Sequence, residues 1–220
     1  MSRYKDEIVW TIVVAGGASQ RFGRPKQYEP LGATRVIDLS VAVARAASDG
    51  VVVVVPASDV VAEGGTAGGS TRSESVRNGL AAVPSDASII CVHDAARPFA
   101  TADLFDAVID AVVGGADCAV PGIVVTDTIK VVDANGMVVS TPDRETLRAV
   151  QTPQAFRAAA LRASHQSRAD GTDDAALVEA RGGRVVVVPG SDDNRKITVP
   201  ADLEWARGRL ERASVAGSRR

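Results

Sequence analysis

Val13-Val14-Ala15-Gly16-Gly17-Ala18-Ser19-Gln20-Arg21-Phe22-Gly23-Arg24-Pro25-Lys26 is the stretch whose reading decides the fold. It follows Ile8-Val9-Trp10-Thr11-Ile12, a short apolar run of the kind that forms a buried strand. A strand that empties into Gly16-Gly17 can turn sharply and bare several backbone N–H groups to an anion. Arg21, Arg24 and Lys26 add fixed positive charge to the same loop. A glycine turn flanked by solvated basic residues has each of these features singly. Together they read as a nucleotide phosphate cradle. Two familiar cradles are excluded. A P-loop needs a Gly-Lys-Ser/Thr ending that nothing after Gly17 supplies. The dinucleotide fingerprint needs Gly-x-Gly-x-x-Gly, whereas Gly16 and Gly17 are adjacent and the next glycine is Gly23.

Working outward, Val36, Leu39, Val43 and Ala47 recur at helical spacing and predict a helix over 35–48. Residues 51–55 are a continuous β-branched run, the pattern of a strand buried on both faces. Residues 57–66 fit no single element. A second glycine turn at Gly68-Gly69 leads into a helix from about Glu74 to Ala82, residues 88–92 form a strand, and Thr101 caps a helix through Val112. Residues 118–121 make a further short strand. Beyond residue 155 the pattern predicts a helix over 156–164, a helix opened by Thr172 as N-cap, a core strand over 184–188 and a last helix over 201–211. Strands alternating with helices give the α/β class, a mostly parallel sheet with helices on both faces.

Residues 127–140 break the alternation. Two apolar runs flank Asp133-Ala134-Asn135-Gly136, and Asn-Gly is a strong hairpin signal. A lone two-stranded hairpin is marginal in water, so it needs a surface to lie on. That surface is either its own domain or a second subunit.

The bulk properties narrow the function. The 220 residues, 45% of them hydrophobic, suffice for one well-buried domain, two at most. A net charge of −2 argues against nucleic-acid or membrane-surface binding, so the basic residues must act locally. Cys91 and Cys118 sit in apolar runs and read as buried thiols. The N-terminal segment has no signal-peptide apolar region and no run approaches a membrane span, so a cytoplasmic protein is expected.

In an open parallel sheet, ligands collect at the carboxyl ends of the strands. The loops 15–26, 68–75 and 93–98 meet there, and Asp94 follows its strand directly. One such carboxylate facing a triphosphate suffices to share a Mg²⁺ ion. His93 reads as a packed strand-end residue and His165 as helix surface.

These segments, with Pro25-Lys26-Gln27-Tyr28, Arg72, Ser75-Val76, Ala95-Ala96-Arg97-Pro98, Asp127-Thr128, Asp143-Arg144, Gln151-Thr152-Pro153-Gln154, Thr172-Asp173 and Lys196-Ile197-Thr198, resemble the 2-C-methyl-D-erythritol 4-phosphate cytidylyltransferases in the same order from about Ile8 to Leu210. The resemblance implies a single Rossmann-like nucleotidyltransferase domain over 1–212, with an arm at about 127–147 and a C-terminal tail at 213–220. It also implies transfer of CMP from CTP to 2-C-methyl-D-erythritol 4-phosphate with release of pyrophosphate. By matched position, Arg21 and Lys26 stabilise the transition state, and Arg144 and Lys196 position the acceptor phosphate. Ala15, Gly16, Gly17, Ala18, Ser19, Gly69 and Ser75 bind CTP, and Asp94 lies near the nucleotide and its Mg²⁺. Arg97, Thr128 and Thr172 line the acceptor pocket. The family is a homodimer with crossed arms, which would give the hairpin its second subunit.

The sequence departs from the family where Gly16 replaces a common alanine, where Ser19 replaces a glycine, and in the short segment between Arg21 and Lys26. The Ala-Gly-Gly form also resembles the ribitol-5-phosphate cytidylyltransferases, while Arg144-Glu145-Thr146-Leu147 and Arg148-Ala149-Val150-Gln151 favour the methylerythritol branch. A nucleotide-binding module without chemistry would keep the loops but would not need Lys26, Arg144 and Lys196 together. The attacking group would be a phosphate monoester, already ionised near neutral pH. No general base is needed, which suits a chain with two histidines.

Overall fold

The computed structural model describes residues 4, 6–16, 22–167 and 170–217, with side chains as far as residue 212. β1 (Val9–Val14) is followed by a 3₁₀ turn (Lys26–Tyr28), the small ribbon of β2 (Pro30–Leu31) and β3 (Thr34–Arg35), and α1 (Val36–Ala47). Then come β4 (Gly50–Val55), α2 (Val60–Glu63), β5 (Thr66–Ala67) and α3 (Arg72–Ala82). β6 (Ile89–Asp94), α4 (Ala102–Val113) and β7 (Cys118–Val124) complete the first half. The second half holds β8 (Val131–Val132), β9 (Val138–Ser140), β10 (Arg148–Val150), β11 (Gln154–Arg157) and α5 (Ala158–His165). It ends with α6 (Asp174–Glu179), β12 (Val185–Pro189) and α7 (Pro200–Gly217).

The main sheet follows the hydrogen-bonded path β10-β7-β11-β6-β1-β4-β5, with β12 also on β7. β6, β1, β4 and β5 are mutually parallel, as the alternating pattern requires. The inner position of β1 puts Val14, and the glycine loop after it, beside Asp94 at the end of β6. Alternation along β1 divides the core. Val9 and Val13 pack with Ile37 and Val41 of α1 and Phe105 and Val108 of α4. Ile12 packs on the other face with Val76 and Leu80 of α3 and Leu161 of α5. A Cβ at Gly79 would lie 2.7 Å from Ile12 Cγ2, so the glycine lets α3 sit tightly on the sheet. Helices therefore cover both faces. Cys91 and Cys118 are buried free thiols.

The expected helix over 156–164 is corrected at its start. Gln154–Arg157 is a strand, antiparallel to both β6 and β7, and the helix begins at Ala158. Ala155 and Phe156 are fully buried between two strands, an environment that outweighs their helical spacing. The Pro121 and Gly122 carbonyls of β7 accept from the N–H groups of Gln151 and Gly190. Successive carbonyls point to opposite sides of a strand, so β10 lies across β7 from β12, on the side of β11. From Val150 to Ala155 the chain advances five residues while β7 retreats three, from Gly122 to Ala119. Gln151 still donates to Pro121, so the two extra residues fall between Gln151 and Ala155 and carry Thr152 out of the ladder toward the end of β6.

Further differences are local. β12 is an edge strand with Val187 52% exposed, not a core strand, because it pairs only with β7. β4 is half-buried at several positions rather than sealed on both faces. α3 begins two residues earlier than expected because Thr71 caps it, its side chain accepting from Glu74 N–H. α7 runs through Gly217, into the segment expected as a tail. β8 and β9 pair only with each other, and their residues are exposed. Among the described residues no helix is long and apolar enough to cross a membrane.

A third cluster matters for the site. Phe22, Leu31 and Val36 pack with Ile197 and with Leu203 and Ala206 of α7. It pins the segment carrying Lys26 and the segment carrying Lys196 to one helix.

His93 fits its expected packed role. It is fully buried on β6, 5.4 Å from the Phe105 ring, and its Nδ1 meets Thr152 Oγ1 at 3.2 Å. Burial pushes its pKa down to about 4. Below the ordinary value near 6.5 the unfolded chain takes up a proton that the folded chain refuses until about pH 4. Stability should therefore fall by about 3 kcal/mol from this residue as pH drops across that window. Denaturant midpoints should show His93→Gln to be less stable at pH 7 yet shallower in its pH dependence between 6.5 and 4. An unchanged slope would reject the assignment.

Candidate active site

Three adjoining cavities lie along the rim of the sheet, from the carboxyl ends of β1 and β6 to β7 and β10. The first, about 400 Å³, is lined by Ala15, Gly16, Lys26, Gly69, Arg72, Ser75, Asp94 and Lys196, among others. The second, about 220 Å³, is lined by Arg72, Asp94, Arg97, Thr152, Thr172 and Lys196, with Gln154 and Asp173. The third, about 370 Å³, opens beside Arg97, Gln151, Arg195 and Lys196. Arg72, Asp94 and Lys196 line both of the first two, so they form the wall between them.

Asp94 is the centre of this wall. Its Oδ2 accepts from Lys196 Nζ at 2.6 Å, and its Oδ1 accepts from Arg72 Nε at 3.4 Å. Its backbone N–H donates to Thr152 Oγ1 at 3.0 Å, from the two-residue insertion between β10 and β11. Burial alone would raise its pKa, but the Arg72 and Lys196 charges hold it well below the usual carboxylate range. The carboxylate is ionised at any working pH. No group of three or more His, Cys, Asp or Glu side chains suited to a metal occurs among the described residues. A single ionised carboxylate beside an anion-sized cavity suits a hard cation shared with phosphates, not a metal caged by protein.

The loops around the first cavity are tightly built. The Ser75 hydroxyl accepts from Gly69 N–H at 3.0 Å and donates to Thr71 O at 2.9 Å, closing the glycine turn. A Cβ at Gly69 would collide with the Glu74 side chain. Ala15 lines the cavity, but its N–H is taken by Val54 O at 2.7 Å, so it is not one of the bared donors expected of this loop. A Cβ at Gly16 would meet Gly68 Cα and Ser75 Oγ at 3.4 Å, an ordinary contact. An alanine side chain would therefore fit at position 16.

The expected residues divide into groups. Lys26, Ala15, Gly16, Gly69, Ser75, Asp94 and Lys196 meet around the first cavity, and Arg97 and Thr172 join the wall residues at the second. Gly17, Ala18, Ser19 and Arg21 lie outside the described residues. Arg24, read with them as a phosphate cation, is exposed and forks onto the Glu29 carboxylate instead. Thr172 is not the N-cap of α6; Asp173 is, its Oδ1 accepting from Ala176 N–H at 2.9 Å. Thr128 and Arg144 are exposed on the hairpin side, with Arg144 Nη1 donating to Thr126 O at 2.9 Å, and neither lines these cavities within the one chain. Arg97 donates through Nη1 to Asn194 O at 2.8 Å, while its buried Nε has no partner.

The sequence assigns no site role to Arg72, Thr152 or Gln154, and it reads Asp174 only as an acid complementing the positive end of its helix, whose first turn it does occupy. Arg72 stood in a quoted motif after Gly68-Gly69, and that spacing was the available signal. His165 is corrected outright. It is buried, not on the helix surface, and its Nε2 donates to Asp174 Oδ1 at 3.0 Å.

A family model described as IspD, 2-C-methyl-D-erythritol 4-phosphate cytidylyltransferase, matches residues 9–212. A protein of that name from Frankia casuarinae is 42% identical, over 96% of this chain and 85% of its own. One from Nocardia farcinica is 41% identical, over 96% and 97%. The crystal structure of 2-C-methyl-D-erythritol 4-phosphate cytidylyltransferase from Thermus thermophilus is similar with a TM-score of 0.78 at 30% identity, covering 91% of this chain and 98% of that one. Agreement in both sequence and structure over nearly whole chains leaves one conclusion: the chain belongs to the 2-C-methyl-D-erythritol 4-phosphate cytidylyltransferase family.

Proposed function

We propose that the chain transfers a cytidylyl group from CTP to 2-C-methyl-D-erythritol 4-phosphate and releases pyrophosphate, a step in isoprenoid precursor synthesis that we assign to the cytoplasm. The observation that carries this reading is the charged wall of Arg72, Asp94 and Lys196 shared by two cavities. CTP occupies the larger cavity, bounded by the glycine loops, Lys26 and Ser75. The acceptor occupies the smaller one, with Arg97, Thr172 and Lys196 around it. Its phosphate oxygen then attacks the α-phosphorus in line, and the P–O bond to pyrophosphate breaks.

No residue has to remove a proton, since the attacking phosphate is a dianion for the most part at neutral pH. The obstacle is two polyanions in one place. Lys26 and Arg21 offset the charge that grows on the α-phosphate and the leaving group, and Lys196 holds the acceptor against the wall. Asp94 is the residue that would hold Mg²⁺ together with the substrate's phosphates, and the ion would add charge neutralisation there. The ribitol phosphate alternative gains nothing from the Ala15-Gly16-Gly17 loop, because an alanine at position 16 would be accommodated equally well. A purely binding module would not need Lys26 and Lys196 lining one cavity with an ionised carboxylate.

The arm belongs to a homodimer in this reading. Val131, Val132, Met137, Val138 and Val139 are exposed along it, with Val139 67% exposed. A two-stranded hairpin with that much apolar surface is stabilised by packing on another body, here a second copy of the chain. Arg144 and Thr128 travel with the arm and complete the neighbour's acceptor cavity. An arginine suits that task because its fork binds phosphate bidentately.

Pyrophosphate release from CTP, measured with methylerythritol phosphate and with ribitol 5-phosphate, tests the assignment; turnover with the second alone would overturn it. Lys26→Ala should lower kcat by about 10²-fold or more while KM for CTP changes less, because the cation acts chiefly on the transition state. Normal kcat with a raised KM would make Lys26 a binding residue only. Excess chelator should abolish turnover, and Mg²⁺ should restore it.

Lys26→Ala and Arg144→Ala should each be nearly inactive yet complement when refolded together. Random pairing makes half the dimers mixed, each with one intact site, so about a quarter of wild-type activity should return. No recovery in proven mixed dimers would assign Arg144 to its own chain.

A further inference from the structure

Behind the wall between the cavities lies a buried group that the proposed reaction does not use. Asp174, at the first turn of α6, is fully buried, and its Oδ2 accepts from Arg72 Nη1 at 2.7 Å. Its Oδ1 accepts from His165 Nε2 at 3.0 Å, and His165 is itself buried at the end of α5. Arg72 thus stands between two carboxylates, Asp174 behind and Asp94 in front. Its guanidinium lines both the nucleotide and the acceptor cavity, and its side chain is 28% exposed there.

A surface arginine loses much rotamer freedom when it takes one orientation, and a fork gripped at two nitrogens by two carboxylates has lost that freedom before any ligand arrives. Burying Asp174 is unfavourable unless its oxygens are occupied, and two donors, Arg72 and His165, occupy them. Simple filling of the core would have used an apolar residue here. We propose that Asp174, backed by His165, is a positioning residue that holds the Arg72 guanidinium as a pre-oriented cation at the junction of the two cavities. A phosphate on either side of the wall then meets Arg72 already in place, and the reaction does not bear the cost of ordering it.

This inference rests on the reading that phosphates occupy both cavities, so the test carries one readout that does not need turnover. In the first arm, ¹⁵N relaxation of Arg72 Nε is measured in the ligand-free protein. The wild type should show a rigid side chain, and Asp174→Asn a mobile one. In the second arm, pyrophosphate release is measured for Asp174→Asn, Arg72→Ala and the double variant. Asp174→Asn should lose about tenfold or more in kcat with KM for CTP within about threefold. In the Arg72→Ala background the same change should cost less than about twofold, because the two residues act as one unit.

His165→Gln, which keeps a donor toward Asp174, should retain activity better than His165→Ala. It serves as the second variant if Asp174→Asn proves unstable by circular dichroism. Arg72 equally rigid in Asp174→Asn would overturn the proposal, as would losses that multiply in the double variant. If the wild type itself releases no pyrophosphate, the proposed reaction fails, and the relaxation arm alone decides whether Asp174 positions Arg72.

Discussion

The ionised carboxylate of Asp94, taken from solvent and held between Arg72 and Lys196, is the interaction on which the site depends. A buried anion is tolerable only if its partners stay close, and these partners come from distant parts of the chain. Arg72 is delivered by the first turn of α3, Lys196 by the segment before α7, and the Thr152 hydroxyl that accepts from the Asp94 N–H by the insertion between β10 and β11. Each of these elements is seated by its own packing and bonding, and all of them deliver a polar group to one residue. The cations that neutralise it are also the ones that face the cavities, so the arrangement that stabilises the fold locally also readies the site for phosphates.

This explains the antiparallel pair within a parallel sheet. If β10 and β11 paired with β7 without interruption, Thr152 would remain in the ladder as Gln151 does. The two-residue excess directs Thr152 to the rim, where it serves both Asp94 and His93, while Asn194 Nδ2 donates to the Thr152 carbonyl at 2.8 Å. The loop that carries Lys196 is thereby stitched to the insertion.

Much of this was legible in the sequence because the signals were contiguous. The apolar run before Gly16, the Gly68-Gly69 turn and Asp94 directly after a strand each carry their meaning within a few residues, and α1 and α4 follow from periodicity and one cap. What was missed depends on partners far away in the chain. Gln154–Arg157 reads as the start of a helix until β6 and β7 are placed on either side of it. His165 reads as surface because Asp174, which accounts for its burial, lies beyond a turn on another helix. The valines of β12 resemble a core strand, but chain order does not say that it sits at the sheet's edge. Thr172 and Asp173 are equally good caps by residue type, and only backbone geometry separates them. Gly17 to Arg21 lie outside the described residues.

The apolar cluster of Phe22, Leu31 and Ile197 with α7 has a mechanical consequence. Lys26 and Lys196 approach the two cavities on separate segments, yet both segments are anchored to the same face of one C-terminal helix. That helix acts as a crossbar. Displacing it would not switch off one substrate's site while sparing the other; it would change the span between the two lysines, and so the distance over which donor and acceptor phosphates are brought together. Local opening of this helix would thus act on the site through the spacing of its charges rather than through the shape of either cavity.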